Sequence, residues 1–239
     1  MAYRRVLLKL SGEALMGRMS HGLCPETLAY VAREIRNITE GGTQLGIVIG
    51  AGNIFRGLAG ASQGMHRPTA DAMGMLATVI NCLALADALN REQVPARVLS
   101  ALPVGTVCEP YGFASALDHL EQGRVVICAA GTGNPYFTTD TAAVLRALEI
   151  QAELVMKATR VDGVYDCDPE KCPGAVRFAR LTPDEVLARN LRVMDATAIA
   201  LLRDTGLPLL VFNMTLPGNI ERAIRGEAIG TLVAPAGDN

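Results

Sequence analysis

Apolar residues along the chain fall into two alternating patterns. Short apolar runs that are nearly unbroken and rich in Val and Ile are typical of parallel strands buried on both faces, and the segments between them have helical spacing. The runs predict strands at 4–10, 44–50, 96–100, 124–130, 152–158 and 207–213. The intervening segments predict helices at 25–40, 69–93, 139–149, 183–190, 195–205 and 219–225.

This alternation predicts an α/β fold, with a mainly parallel central sheet and helices on both faces. The ends of the predicted helices carry matching signals. Thr182, Pro183 and Glu185 form a capping box in which Thr182 is the N-cap. Gly206 and Gly226 suit the position that follows a helix.

The chain contains no linker, repeat or low-complexity segment that would divide it. A polar loop bearing Pro and Gly at 161–175 follows the fifth predicted strand. We therefore expect a single domain, 1–239, with two lobes, 1–160 and 161–239, that meet near this loop.

Composition and charge argue against a nucleic-acid-binding protein and a membrane protein. The 239 residues are 50% hydrophobic and carry a net charge of −2, with acidic and basic residues interspersed, so no basic surface for nucleic acid stands out. The first apolar run is interrupted by Lys9 and followed by Ser11, Gly12 and Glu13, which is too short and too polar for a signal peptide or membrane span. We expect a cytoplasmic protein with neither a nucleic-acid nor a membrane partner.

The six cysteines are spread over a chain too large to require disulfides, which favours free thiols. Cys167 and Cys172 have C-x4-C spacing, so a zinc site is an alternative there, although no second pair and no histidine lie nearby. His21, His66 and His119 are scattered. No Ser/His/Asp or Cys/His constellation is apparent.

Three predicted strands end in glycine-rich turns, and open parallel sheets bind ligands at the carboxyl ends of their strands. The first strand contains Lys9 and ends at Ser11 and Gly12. A lysine in an apolar strand is unfavourable unless its ammonium meets an anion. The alternative is that Lys9 reaches solvent at the end of the strand.

The second turn lies in IVIGAGNIFRG, 47–57. Its glycines, Gly50 and Gly52, would let the backbone approach a phosphate, although G-x-G also opens many ordinary turns. The dinucleotide-binding pattern would need glycine at position 55, where Phe55 stands, and the Walker A pattern is absent. The chain is therefore neither a typical dinucleotide-binding protein nor a P-loop kinase.

The third turn lies in AAGTGNPYFTTDTAA, 129–143. Glycines follow the strand, and Thr138, Thr139 and Asp140 stand where a helix begins, so its free N–H groups and hydroxyls could receive an anion. The alternative is that Thr139 is only an N-cap. With Lys9, the three turns predict a phosphate-binding cleft and a phosphoryl-transfer enzyme.

Six segments carry a family resemblance. They are KLSGEAL, VIGAGNIFRG, DAMGMLATVIN, AGTGNPYFTTDTAA, KATRVDGVYDCDP and FNMTLPGNI. Together, from residue 4 to 233, they resemble the bacterial-type uridine monophosphate kinases of the amino acid kinase superfamily, with GTGNPYFTTD as the distinguishing motif. The resemblance implies a three-layer α/β/α sandwich, a homohexamer, and transfer of the γ-phosphate of Mg-ATP to UMP in pyrimidine nucleotide biosynthesis.

The resemblance also implies two binding sites, with UMP and oligomer contacts in lobe 1–160 and the ATP nucleoside in lobe 161–239. It assigns the ATP phosphates to Lys9, Leu10, Ser11, Gly12, Gly52 and Arg56, and the ATP base and sugar to Thr159, Tyr165 and Asp168. It assigns UMP to Ala51, which replaces a usual glycine, to Asp71 at the ribose, and to Thr132, Gly133, Asn134, Pro135, Tyr136, Phe137, Thr138 and Thr139.

For catalysis, the same resemblance points to Lys9 as the residue that bridges the transferred phosphoryl group. Asp140 and Asp195 are candidates for organising the site or Mg²⁺, and either could instead be a helix N-cap. The UMP phosphate is already largely dianionic at pH 7, so it needs no general base. The site has to neutralise charge and align two polyanions.

Two further expectations follow from the resemblance. Helix 69–93 is apolar nearly all round, which fits a core helix or a subunit interface, and the resemblance favours the interface. Arg97 and Arg124 resemble positions near an effector pocket for GTP and UTP, although they could be ordinary surface arginines.

Two other functions stay open. A related kinase could phosphorylate a carboxylate or carbamate, for which the GTGNPYFTT segment would be unnecessary. A regulator could bind nucleotides without catalysis, and it would tolerate Lys9→Met.

Overall fold

The strand and helix pattern is realised in a computed structural model that describes residues 3–56, 64–169, 171–172 and 174–236. The strands are β1 (Arg5–Leu10), β2 (Gln44–Ile49), β3 (Ala96–Ser100), β4 (Glu109–Pro110), β5 (Val125–Ala129), β6 (Leu154–Thr159), β7 (Val164–Tyr165), β8 (Arg177–Phe178), β9 (Arg180–Leu181), β10 (Leu209–Asn213) and β11 (Gly230–Val233). The helices are α1 (Pro25–Glu40), α2 (Arg67–Arg91), α3 (Phe113–Glu121), α4 (Thr139–Glu149), α5 (Pro183–Ala188), α6 (Ala196–Thr205) and α7 (Asn219–Ile224), with a 3-10 helix at Gly12–Leu15.

Nine strands form one sheet in the order β4-β3-β5-β2-β1-β6-β10-β11-β9, and β7 pairs with β8 separately. Within the nine-stranded sheet, only β10 and β11 pair antiparallel. Right-handed crossover units of this kind leave the carboxyl ends of the parallel strands along one edge.

Helices cover both faces of the sheet. Helices α1, α2 and α7 pack on one face with alternate β1 residues such as Val6 and Leu8. Helices α3 to α6 pack on the other face, where Leu7 points. The predicted α/β fold class with three layers is confirmed, and the β1 alternation places Lys9 on the same face as Leu7.

All six predicted strands and six predicted helices are present, with ends shifted by up to two residues. The capping box is confirmed, because Thr182 Oγ1 accepts from Glu185 N at 3.1 Å and Glu185 Oε2 accepts from Thr182 N at 2.7 Å. Gly206 is the left-handed cap of α6 with φ 70°. The sequence patterns did not predict α3, the 3-10 helix or the strands β4, β7, β8, β9 and β11.

Helix α2 is the longest described helix, and by length and composition it could cross a membrane, with a mean hydropathy of 1.7 over its most apolar window. Half of that window is buried within the protein, against α1, β3 and β5. The core helix of a soluble protein has the same composition, so this helix is weak support for a membrane span.

Candidate functional site

The three glycine-rich strand ends meet at the carboxyl edge of the sheet, as predicted. A Cβ on Gly12 would lie 2.3 Å from Asn53 Oδ1 and 2.6 Å from the Gly50 carbonyl oxygen, so only glycine fits this approach. A Cβ on Gly50 would lie 3.3 Å from Gly12 N and 3.4 Å from Thr139 Oγ1. The loops after β1 and β2 and the start of α4 are therefore in contact.

A buried ion cluster lies beside these turns. Lys9 of β1 and Lys157 of β6 are register partners on adjacent parallel strands, so their side chains leave the same face. Asp140, in the first turn of α4, lies between them: its Oδ1 is 2.8 Å from Lys9 Nζ and its Oδ2 is 2.8 Å from Lys157 Nζ. The Lys157 contact has hydrogen-bond geometry, whereas the Lys9 contact is an off-axis ion pair.

Charge and burial oppose each other in this cluster. Burial disfavours the ionised form of Asp140, but the charges of Lys9 and Lys157 outweigh it and hold the Asp140 pKa below its ordinary value. Burial lowers the pKa of Lys157, and the carboxylate of Asp140 offsets only part of that effect. Two cations share one anion, so the ionised cluster has an excess positive charge available to a phosphate.

Three alternatives left open by the sequence are wrong. Lys9 does not extend into solvent, because it is only 8% exposed and paired with Asp140. Asp140 is not an N-cap, because the cap of α4 is Thr138, whose side chain accepts from Asp140 N. Thr139, the suspected cap, is the first residue of the helix.

The first cavity, of about 450 Å³, opens between α2, the loop after β2 and the segment that joins β5 to α4. Ala51, which stands where the resemblance expects glycine, forms part of its wall. The predicted residues that line the cavity are Ala51, Gly52, Arg56, Asp71, Thr132, Asn134, Phe137, Thr138 and Thr139.

The segment that joins β5 to α4, residues 130–138, is named the 130–138 loop. Asp71 on α2 accepts from Tyr136 N at 2.8 Å and pairs with Arg67 at 2.7 Å, so α2 fixes the middle of this loop. Thr132 Oγ1 accepts from Asn134 N at 3.1 Å. Gly133, Pro135 and Tyr136 belong to the loop but do not line the cavity.

Asp195 connects the end of the loop to a second helix. It is the N-cap of α6, which confirms that alternative, and it accepts from Ala198 N at 3.0 Å. It also accepts from Thr138 Oγ1 at 2.5 Å and Thr141 Oγ1 at 2.8 Å. Asp195 therefore caps α6 and at the same time accepts a hydrogen bond from Thr138, which lines the first cavity.

The second cavity, of about 630 Å³, lies beside the ion cluster. Its wall includes Thr159, Tyr165 and Asp168, the three residues that the resemblance assigns to the ATP base and sugar. Lys157 also lines it, whereas Thr139, next to Asp140, lines the first cavity. The ion cluster therefore adjoins both cavities, the second through Lys157 and the first through Thr139, the neighbour of Asp140.

Of the remaining residues assigned to the ATP phosphates, two line the first cavity and neither lines the second. These two are Gly52 and Arg56, and Arg56 pairs with Glu13 of the 3-10 helix. Ser11 is the N-cap of that helix, accepting from Ala14 N. The side chain of Leu10 is fully buried in the core.

Arg97 and Arg124 converge on Glu109 and His119, which line neither cavity. Arg97 Nε lies 3.6 Å from Glu109 Oε1, and Arg124 donates to His119 Nδ1 at 2.9 Å. Because arginine can only donate, the His119 proton sits on Nε2, which donates to Glu109 Oε2 at 2.9 Å.

The zinc alternative finds no support. Within the described ranges, no group of three or more His, Cys, Asp and Glu side chains could hold a metal ion. Cys167 and Cys172 are free thiols, as are the other four cysteines.

Sequence reasoning missed Lys157, although its signal was present. It stands in the apolar segment AELVMKA just as Lys9 stands in VLLKL, and the same argument about an unpaired charge applies to both. The reasoning also missed Arg67, which had no distinguishing pattern.

The fold and the site define an α/β protein with two cavities beside a cationic cluster at the carboxyl edge of its sheet. The chain belongs to the amino acid kinase family, whose profile matches residues 4–213. This confirms the family expected from the six motifs.

The chain is also similar to solved structures of kinases that act on UMP. The UMP kinase from Bacillus anthracis is 38% identical with a TM-score of 0.95, and the match covers 99% of this chain and 98% of that chain. The UMP kinase from Ureaplasma parvum is 37% identical with a TM-score of 0.92 (98% and 100% covered), and the uridylate kinase from Archaeoglobus fulgidus is 29% identical with a TM-score of 0.74 (96% and 99% covered).

Proposed function

We propose that this protein is a UMP kinase that transfers the γ-phosphate of Mg-ATP to UMP, giving UDP and ADP in the cytoplasm for pyrimidine nucleotide biosynthesis. One observation carries the proposal: the cluster of Lys9, Asp140 and Lys157 adjoins two cavities of nucleotide size. The near full-length similarity to two UMP kinases supports UMP as the acceptor.

The proposed reaction requires little covalent chemistry from the protein. A phosphate oxygen of UMP bonds to the γ-phosphorus, and the bond from that phosphorus to the β–γ bridging oxygen breaks, so that ADP leaves with that electron pair. Lys9 bridges the transferred group, and Lys157 adds charge from the side of the second cavity. Asp140 holds both ammonium groups in place before substrates arrive, which reduces reorganisation during transfer.

The donor set of the site suits Mg²⁺ that arrives on ATP. Mg²⁺ in kinases is commonly held by substrate phosphates with one or two carboxylates. Asp140 and Asp195 are the carboxylates we assign to organising the ion, and because both Asp140 oxygens pair with lysines, most of the ion's ligands would come from the phosphates and water. The bound ion supplies positive charge to the β- and γ-phosphates.

Uridine recognition is assigned to the first cavity. The Asp71 carboxylate would accept from ribose hydroxyls, and the 130–138 loop would surround the base and phosphate. Arg67 in the same wall would supply positive charge for the UMP phosphate, whereas Arg56, which also lines this wall, keeps the ATP-phosphate role that the resemblance assigns to it.

Self-association is proposed through α2. Its face bearing Met73, Leu76 and Ile80 is apolar, with side chains 39%, 48% and 51% exposed at spacings of three and four residues. The resemblance leads us to propose a homohexamer. Leu76→Glu should lower the mass measured by light scattering, whereas Leu216→Glu, a 53% exposed residue elsewhere, should leave it unchanged.

Response to effectors is proposed at the cluster of Arg97, Glu109, His119 and Arg124, where two arginines meet near the surface. GTP and UTP are the expected effectors. Initial velocities with each nucleotide, compared between the native protein and Arg97→Ala, test this assignment.

The experiment that tests the reaction is coupled ADP release from Mg-ATP with UMP, CMP, dTMP and a panel of amino acids, each offered separately. We expect rapid turnover with UMP alone. Turnover with an amino acid would retain the family and overturn the acceptor. No turnover, with ATP and UMP still bound, would favour a nucleotide-binding regulator.

A further inference from the structure

A buried arginine that the proposed reaction does not use lies behind the 130–138 loop. Arg146 projects from α4 and is 5% exposed. Its Nη2 donates to the Gly131 carbonyl oxygen at 3.1 Å, and its Nη1 donates to Glu149 Oε2 at 2.7 Å. Its guanidinium carbon lies 3.8 Å from the centroid of the Tyr111 ring.

The carbonyl that Arg146 contacts belongs to a strained turn. Ala130 and Gly131 have consecutive positive φ angles of 61° and 58°. A residue with a Cβ loses about 1–2 kcal/mol in this conformation, so surrounding contacts must hold Ala130 there. Ala130 N donates to Thr78 Oγ1 of α2 at 2.8 Å. Thr78 and Arg146 thus hold the turn from opposite sides.

The turn sets the direction in which the 130–138 loop leaves β5. Thr132 and Asn134 follow directly and line the first cavity. We propose that Arg146 is a positioning residue for the acceptor loop, fixing the wall that receives UMP by holding the Gly131 carbonyl. This inference rests on the proposed assignment of the first cavity to UMP.

The chemistry of the side chain explains why arginine stands at this buried position. The planar guanidinium can donate to two acceptors on different segments while one face stacks on an aromatic ring, which a lysine ammonium cannot do. Glu149 neutralises the charge and also accepts from Tyr111 Oη at 2.6 Å. The Nε of Arg146 has no hydrogen-bond partner in the described part of the chain, so the contacts of this side chain are made by its two terminal nitrogens and its ring-stacking face.

The test compares Arg146→Met with a matched control, Arg5→Met. Arg5 is a partly buried arginine that donates to the Ile150 carbonyl oxygen at 2.8 Å, at the opposite end of α4 and away from the loop. For Arg146→Met we expect the KM for UMP to rise about 10- to 100-fold, as for loss of a charged hydrogen-bond donor, with the KM for ATP within about twofold. For Arg5→Met we expect both KM values to stay within about twofold.

Arg146→Lys separates positioning from folding if Arg146→Met does not fold. One ammonium lacks the planar fork whose two nitrogens reach Glu149 and Gly131 separately, so the KM for UMP should rise by about threefold while the KM for ATP stays constant. An unchanged KM for UMP in a folded variant, or equal rises in both KM values, would overturn the inference. If the native protein does not phosphorylate UMP, the proposed function itself fails and the inference fails with it.

Discussion

The two cavities differ in what holds their walls in place. The first cavity is backed by buried polar groups: Asn81 donates to the Gly50 carbonyl oxygen at 2.7 Å and to Asn53 Oδ1 at 2.8 Å, and both asparagines are at most 3% exposed. The second cavity is lined by Val161, residues 163–169 and Lys171, beside exposed contacts such as the one from Tyr165 Oη to Asp162 Oδ1.

This difference has a physical consequence. Buried hydrogen bonds fix a geometry strongly because their loss leaves unsatisfied groups, whereas exposed polar contacts exchange with water at little loss in free energy. We therefore expect the first cavity to discriminate its ligand sharply and the second to tolerate substitution. The ion cluster adjoins both, and changes there should have the largest effects.

The first prediction concerns the cluster itself. Lys9→Met should lower kcat by at least about 10³-fold, because the transferred phosphoryl group loses a preorganised cation, while UMP still binds. Steady-state kinetics and calorimetric titration with UMP measure the two effects. Arg33→Met, which removes an exposed cation from α1, is the control and should leave kcat unchanged. Near-normal turnover by Lys9→Met would remove the cluster from the mechanism.

The sequence predicted the parts of the molecule whose signal is local. Six strands and six helices follow from apolar periodicity, and the convergence of Gly12, Gly50 and Thr139 follows from the rule that ligands lie at strand ends. Strands β4, β7, β8 and β9 have two residues each, so they are too short to show a period. Helix α3 has nine residues, which gave no pattern that we recognised.

The site was predicted less completely because its meaning depends on distant partners. Lys157 could have been found by the argument used for Lys9, but its position opposite Lys9 appears only when β1 and β6 pair. In the sequence, Arg146 cannot be distinguished from an ordinary helical residue, because its contact with the Gly131 carbonyl forms only when α4 packs beside the end of β5. A buried polar residue on a helix cannot be separated from a solvated one by spacing alone.

The second prediction removes the anion that the two lysines share. Asp140→Asn leaves Lys9 and Lys157 adjacent and buried without the carboxylate they share, which should destabilise the protein by about 3–5 kcal/mol. Urea unfolding at pH 7 measures this loss. Asp87→Asn, whose carboxylate is 66% exposed on α2, serves as the control and should change stability little.

The pH dependence provides an independent check of the same change. The lowered pKa of Asp140 gives stability that is present above its unfolded value near 3.8 and lost as pH falls through the lower folded value. Asp140→Asn should remove this part of the acid dependence. The lowered pKa of Lys157 gives a slope of the same sign in a different pH range, because stability rises as pH increases from its folded value toward 10.5. An unchanged acid limb in Asp140→Asn would contradict the assigned charges.

The third prediction concerns Asp71, which holds the wall of the first cavity. Asp71→Asn weakens the contact with Tyr136 N and leaves Arg67 without its carboxylate partner, so the KM for UMP should rise about tenfold while the KM for ATP stays constant. Steady-state kinetics with each substrate varied in turn measures both. A rise confined to ATP would reverse the assignment of the two cavities.

The smallest effect is expected at the second cavity, whose exposed wall we expect to hold its ligand less firmly than the first cavity does. Tyr165→Phe keeps the ring in the wall but removes the hydroxyl that donates to Asp162 at 2.5 Å. Because this contact is exposed, the KM for ATP should rise only about two- to threefold and the KM for UMP should not change. Tyr165→Phe could instead raise the KM for ATP more than Asp71→Asn raises the KM for UMP. The exposed segment would then hold its ligand as firmly as the buried network does. Rigidity of the cavity wall would not be what sets ligand discrimination in this fold.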